Sequence, residues 1–176
     1  KKYSSVVVNP LAGRQGKEIY FISLKNNNKF IVKEDTIEKA FDFQSFKNIF
    51  APKLKEKKYI GQPYIICRTR KDEPYDFRIH VQRRGNGKWG ITKTYPRIGS
   101  KDSILSNISR GGRTKNIQDF LIDEFKEEYE TVLNKLEETA IGVADYIDSF
   151  YRFNIDELGI DLAIDDTGHM WLYEVN

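Results

Sequence analysis

The sequence has 176 residues, 39% of them apolar and 13% aromatic, which suffices for one full core or two small lobes and excludes a disordered chain. Its 29 basic and 26 acidic side chains leave a net charge of +3, too even a balance to argue for nucleic acid by itself. The single cysteine, Cys67, excludes a disulfide framework and a cysteine-based zinc site.

The opening run SSVVVNPLAGRQGKEIYFISL predicts strand, glycine-containing turn and strand, with the β-branched stretch broken at Asn9-Pro10. KNNNK is a turn and FIVK a further strand. EDTIEKAFDFQSFKNIF follows helical spacing at Ile37, Phe41, Phe46 and Ile49, with Thr36 placed to cap it. KKYIGQPYIICRTR is strand-rich and reads as the crossing from a first lobe, 1–64, to a second, 65–176. DFRIHVQR and KWGITKTYPRI pair as a hairpin through RGNGK. After the polar loop SNISRGGRT, an apolar stripe of Leu121, Phe125, Val132, Leu136, Ala140, Val143, Ile147 and Phe150 predicts a long helix. Asn116 is placed as its cap, and Gly142 as a kink or division. The closing ELGIDLAIDDTGHMWLYEVN reads as two strands about a four-residue loop, 166–169. This order of elements predicts an α+β fold.

Basic residues gather between positions 68 and 115 while 119–166 is mostly acidic, which suits a phosphate-bearing ligand or simply reflects solvated faces. Cys67, in the apolar run YIICR, reads as a packing residue, and the reducing interior of a cell as the compartment. No apolar run reaches membrane-spanning length, so no membrane association is expected. Lacking an initiator Met and ending inside a candidate site, the sequence reads as a piece of a longer protein.

In the closing hairpin, period-two alternation sets Ile160, Leu162 and Ile164 on one face, matched by Trp171, Tyr173 and Val175. Asp161, Glu174 and Asn176 take the other face. The four-residue loop places Asp165 opposite Met170 and, counting outward, Asp161 opposite Glu174. Two carboxylates across a ladder repel, so either this is a solvated acidic surface or a hard dication such as Mg²⁺ joins them, with the Asn176 amide oxygen as a further ligand. Asp76 and Arg78 share one strand face. Arg78 has the fork that clamps phosphate or carboxylate, unless it merely pairs with its neighbour.

In SNISRGGRT, Asn107, Arg110 and Arg113 surround two glycines that free the backbone to approach an anion; a surface loop would also hold Ser, Asn and Gly, but two arginines flanking Gly-Gly favour anion contact. The turn Gly13-Arg14-Gln15-Gly16-Lys17 either lays backbone N–H groups over a polyphosphate or is only a turn. His80 alternates onto the face of Arg78, and His169 sits exposed in the last loop. Neither has zinc-ligand spacing. No Ser-His-Asp or Cys-His nucleophile set is present, Trp89 and Trp171 read as core, and no nucleic-acid partner is expected.

In order, VVVNPLAGRQGKEIYFI, KKYIGQPYII, DFRIHVQRRGNGKWGI, SNISRGGRT and ELGIDLAIDDTGHMWLYEVN resemble an ATP-grasp nucleotide-binding unit. WGITKTYPRIGSKDSILSNISRGG looks like the YheC/YheD-type branch, the endospore coat-associated proteins of Bacillus-like bacteria. The resemblance implies two α+β lobes with a nucleotide cleft between them, and an N-terminal substrate domain outside this sequence. It implies ATP with Mg²⁺, or Mn²⁺ as substitute, and activation of a carboxylate as an acylphosphate for attack by an amine or thiol. Partners would be ATP, an unidentified carboxylate and spore-coat proteins, in the cytoplasm or at the endospore coat.

By the same resemblance Asp161, Glu174 and Asn176 hold metal, while Arg78, Asn107 and Arg110 contact the transferring phosphate or acylphosphate. Asn9, Gly13, Gln15, Gly16 and Lys17 face the β- and γ-phosphates, and Gln62, Tyr64 and Ile65 meet adenine. Two departures stand out: Asn9-Pro10 replaces the usual Lys-Pro, and Glu18 stands where glycine is common. Lys17 is a candidate for the missing charge. The alternative is a catalytically weakened relative, a nucleotide-binding or assembly protein of the coat.

Overall fold

The computed structural model describes residues 5–11, 18–25, 28–34, 37–101, 103, 106, 111–151 and 155–176. The chain divides into two compact units, Lys1–Ile65 and Ile66–Asn176. Each is α+β around an antiparallel sheet.

The first unit contains β1 (Ser5–Pro10), β2 (Tyr20–Lys25), β3 (Lys29–Glu34), β4 (Ile37–Phe41) and β5 (Tyr59–Pro63), in the order β4-β3-β2-β1-β5. Between β4 and β5 the chain coils through α1 (Phe43–Ser45), a π-helical turn (Phe46–Phe50) and α2 (Ala51–Lys55). Strand alternation places Val8, Tyr20, Ile22 and Val32 on one sheet face, where they build a core with Phe50. Tyr20 meets Phe50 edge to face at 4.9 Å and Phe30 stacks on Phe46 at 4.4 Å, so aromatic burial fixes the coil to the sheet.

The structure departs from the sequence reading at two places here. Asn9-Pro10 does not break β1: both residues pair with β5, opposite Ile60 and Tyr59. The pairing of β1 with β2 ends at Val8, so the proline sits where its missing N–H interrupts no second ladder. The helix expected from residue 37 begins only at Phe43, because Ile37–Phe41 pairs with β3 and brings Phe41 opposite Phe30. Asp42 is the cap, its carboxylate accepting from the Ser45 amide at 2.7 Å and hydroxyl at 3.1 Å. Thr36 lies outside the described residues.

The second unit contains β6 (Tyr75–Arg83), β7 (Trp89–Ile98), β8 (Arg113–Thr114), α3 (Ile117–Phe125), α4 (Tyr129–Asp148), β9 (Glu157–Ile164) and β10 (Met170–Val175). The sheet order is β10-β9-β6-β7-β8. Phe77, Ile79, Val81, Ile160 and Leu162 are fully buried on one face, and α4 packs there with Leu136, Ala140 and Ala144 at steps of four. Asn116 caps α3 as expected, accepting from the Gln118 and Asp119 amides at 2.8 and 3.2 Å.

The helical stretch is divided, but not at Gly142. The break is Lys126, whose φ of +55° ends α3 and starts a short 3-10 turn, Lys126–Glu128. Gly142 continues α4 in open space, where even a Cβ would touch nothing. Phe150 falls beyond the end of α4 and is 67% exposed, so the expected core stripe stops short of it. No helix among the described residues is long and apolar enough to cross a membrane.

Candidate functional site

The second unit's charged face is the side of its sheet that turns away from the helices. Asp76, Arg78 and His80 alternate along β6 with the core residues Phe77, Ile79 and Val81. Register sets Arg78 between Asp161 of β9 and Tyr95 of β7, Asp76 opposite Arg97, and Glu174 opposite Asp161.

Two bulges create this arrangement. From the hairpin tip, Arg83 faces Trp89 and Val81 faces Ile91. One extra residue, Thr92, then advances β7 so that His80 faces Lys93 and Asp76 faces Arg97. Were β7 paired regularly, with Thr92 itself opposite His80, Arg97 would fall opposite Tyr75 and point toward the helices. In the last hairpin Met170 faces Ile164, not Asp165, so the loop has five residues, 165–169. Leu172 faces Leu162, and the extra residue Tyr173 brings Glu174 opposite Asp161. The expected carboxylate pairing is therefore present, reached through a bulge rather than through the loop.

The same bulge splits the expected apolar face of β10. Trp171 pairs with Ala163 on the charged side, its indole N–H donating to Asp165 at 2.7 Å, while Val175 pairs with Ile160 on the core side. Tyr173 donates its hydroxyl to the Cys67 sulfur at 3.2 Å. Cys67 is buried as expected, and burial pushes its thiol up to about 11.

Within the protein, two guanidiniums let the carboxylates share a face. Arg97 forks onto Asp76 with both bonds at 2.6 Å, and its second nitrogen reaches Asp161 Oδ2 at 2.8 Å. Arg78 Nε lies 2.8 Å from Asp161 Oδ1. The Ser106 hydroxyl donates to Asp76 at 2.7 Å. Asp161 is only 4% exposed. Burial raises its carboxyl above the ordinary aspartate value, with Arg97 and Arg78 pulling the other way. Burial also opposes the charge of Arg97, but the Asp76 and Asp161 carboxylates outweigh it and raise that group.

Gly159 makes room for Arg78: a Cβ there would lie 2.4 Å from its terminal nitrogen. Asn176 closes the row when its amide is oriented to donate to Glu174 at 3.1 Å and to accept from Arg78 at 3.3 Å.

The donor set suits a hard dication that keeps other ligands. Asp161 Oδ1 is buried and has no directed hydrogen bond, because Arg78 is close but off-axis. Glu174 and the Asn176 amide, both exposed, complete an oxygen-only group. Among the described residues no group of three or more His, Cys, Asp or Glu forms a metal cage. An oxygen-only group of this size would leave most positions around a hard dication to water or to a ligand's own oxygens.

In the first unit, the sheet face away from the helical coil carries Asn9, Gln62 and a row of Lys33, Phe21, Val7 and Gln62 set by register. Asn9 donates to Gln62 at 3.1 Å, and its carbonyl oxygen is buried without a partner. Tyr64 packs edge to face on Phe21 at 5.4 Å. Glu18 has φ +59°, which explains why glycine would be favoured at that position. Its carboxylate pairs with Lys57 at 2.6 Å.

Of the remaining candidates, Gly13, Gln15, Gly16, Lys17, Asn107 and Arg110 lie outside the described residues. Ile65 closes the first unit. Arg113 forks onto Glu73 at 2.8 and 2.9 Å rather than presenting a free anion clamp. His80 stacks on Tyr95 at 5.9 Å, and burial, with Arg78 and Lys93 nearby, holds its pKa below the usual histidine value. His169 rests edge-on against Trp171. Sequence reasoning missed Arg97 and Ser106. The signal for Arg97 was a second Asp–Arg pair across the hairpin, hidden by the bulge at Thr92.

A family model described as "YheC/D like ATP-grasp" matches residues 1–176. The chain is 28% identical over 180 residues to endospore coat-associated protein YheD of Bacillus subtilis (strain 168), covering 99% of this chain and 39% of that protein. It is 23% identical over 178 residues to endospore coat-associated protein YheC of the same organism, covering 99% of this chain and 49% of that protein. The chain thus spans less than half the length of either relative.

Proposed function

Since the chain belongs to the YheC/D-like ATP-grasp family, we propose that it is an ATP- and Mg²⁺-dependent ligase domain that activates a carboxylate as an acylphosphate. Residues 1–64 form the small lobe in this reading and 65–176 the large one. The observation that carries it is the charged row of Glu174, Asp161, Arg78 and Arg97 on one sheet face. Its three carboxylates, Asp76, Asp161 and Glu174, exceed its two guanidiniums by a single charge. A bare dication gains little there, whereas a dication arriving with a polyphosphate satisfies carboxylate and guanidinium together.

Asp161, Glu174 and Asn176 would hold Mg²⁺, or Mn²⁺ in its place, which neutralises phosphate charge when bound. Arg78, with Asn107 and Arg110, orients the γ-phosphoryl group and the acceptor carboxylate. A carboxylate oxygen bonds to that phosphorus as the bond to ADP breaks. The amine or thiol then attacks the acyl carbon, inorganic phosphate departs, and the nucleophile gives up its proton. Gly13, Gln15, Gly16 and Lys17 cover the β- and γ-phosphates, and Gln62, Tyr64 and Ile65 meet adenine. The protein's contribution is alignment and charge placement. Calorimetric titration with ATP, with and without Mg²⁺, tests the reading: the metal should be needed for tight binding, and no binding in either condition defeats it.

A second reading is favoured by Asn9. Its amide N–H is spent on Gln62 and it brings no charge, so the domain would be a weakened relative acting as a nucleotide-binding or assembly protein. The names of the Bacillus relatives point to the endospore coat as its setting and to coat proteins as partners. Asn9→Lys should then raise ATP affinity about tenfold or more; unchanged affinity removes this reading.

A further inference from the structure

We propose that Arg97 is a positioning residue that orients Asp161 for a nucleotide-bound dication, an inference that rests on the ligase or nucleotide-binding reading above. Among the bonds of the row Arg97 contacts Asp76 and Asp161 but neither Glu174 nor Asn176.

The argument begins with the Asp161 carboxylate, which has two unequal oxygens. Oδ2 accepts a bond from Arg97 at 2.8 Å, while Oδ1 has Arg78 at 2.8 Å but no donor aimed at it. Oδ1 is thus the oxygen left for a new ligand, which would have to move the Arg78 guanidinium that now covers it, and whatever fixes Oδ2 fixes the direction that Oδ1 presents.

Arg97 is itself held from behind. Its fork is seated on Asp76 by two bonds of 2.6 Å, and Asp76 accepts the buried Ser106 hydroxyl at 2.7 Å. Ser106, Asp76, Arg97 and Asp161 thus form one bonded chain, with Asp76 and Asp161 both about 95% buried. A planar guanidinium with bonds to two carboxylates is a rigid bracket. Supporting partners of this kind commonly change metal affinity by 10–100-fold while touching no metal.

The charge of Arg97 and its orienting role have opposite effects on a cation, so the test must separate them. Arg97→Lys keeps the charge, but one ammonium cannot hold both Asp76 oxygens and reach Asp161. Mn²⁺ binding to the full 176-residue chain would be followed by electron paramagnetic resonance with a non-hydrolysable ATP analogue. Nucleotide binding in excess chelator and thermal midpoint would be measured in parallel.

Arg97→Lys should weaken Mn²⁺ at least tenfold, with metal-free nucleotide affinity unchanged within twofold. Ser106→Ala, a milder change that spares the ion pairs, should weaken it about threefold, and it carries the test if Arg97→Lys does not fold. Wild-type Mn²⁺ affinity in the folded variants, or a lowered thermal midpoint as the sole effect, overturns the proposal. Absence of Mn²⁺–nucleotide binding by the unsubstituted protein overturns the underlying functional reading and this inference with it. Binding by the unsubstituted protein with no difference in the variants overturns this inference alone.

Discussion

Glu174 stands opposite Asp161 because Tyr173 bulges out of β10 between Leu172 and Glu174. Were the bulge absent and Tyr173 itself paired with Asp161, Glu174 would fall opposite Ile160 and face the core. Arg97 reaches Asp76 and Asp161 by the same device, the bulge at Thr92. The charged row therefore depends on two local irregularities more than on the lengths of its strands.

Arg97→Met should destabilise the second unit strongly. It leaves Asp76 and Asp161 buried with one guanidinium between them, and breaking a buried charge network typically costs about 3–5 kcal/mol. Urea denaturation should show a lower midpoint with little change in slope, and a loss below about 1 kcal/mol would contradict the network described here.

Gly159→Ala tests the placement of Arg78 without altering any charge. The added methyl would sit 2.4 Å from the guanidinium, which must move off its present position over β9. Affinity for Mg²⁺–ATP should fall about tenfold or more, the loss typical of one charge-assisted contact. Fold stability should change little, as judged by thermal midpoint. Equal affinity would mean that Arg78 has no need of that position.

Asp165 makes the last loop sensitive to acid. Partial burial works against its charge, but the Thr167 hydroxyl and amide, the Trp171 indole and the His169 amide all donate to it and hold its carboxyl at about 2. Because the folded value lies below the unfolded one of about 3.9, its stabilising contribution is complete above pH 4 and is lost as pH falls toward 2. Trp171 fluorescence should report loop loosening over that window. Asp165→Asn should show the loosened signal at pH 5 already, and identical pH profiles would refute the assignment.

Cys67 should be chemically quiet in the native protein. Its thiol is buried, pushed up to about 11, and paired with the Tyr173 hydroxyl. At pH 8 a disulfide-exchange reagent should label it only after denaturant is added. Rapid labelling of the folded chain would show that the sulfur is reachable.

Much of this was legible in the residues themselves. Period-two alternation put Asp76 and Arg78 of DFRIHVQR on one strand face and separated Ile160 and Leu162 of ELGIDLAI from Asp161, since that pattern follows from local backbone geometry. Asn116 was identifiable as a cap for the same local reason. The tertiary structure alone decided the rest. A bulge changes register by one residue and leaves almost no mark in composition, so Arg97 was overlooked and Trp171 was assigned to the wrong face. Burial of Asp161 likewise could not be read from its neighbours in sequence, because the groups that enclose it come from β6 and β7, tens of residues away.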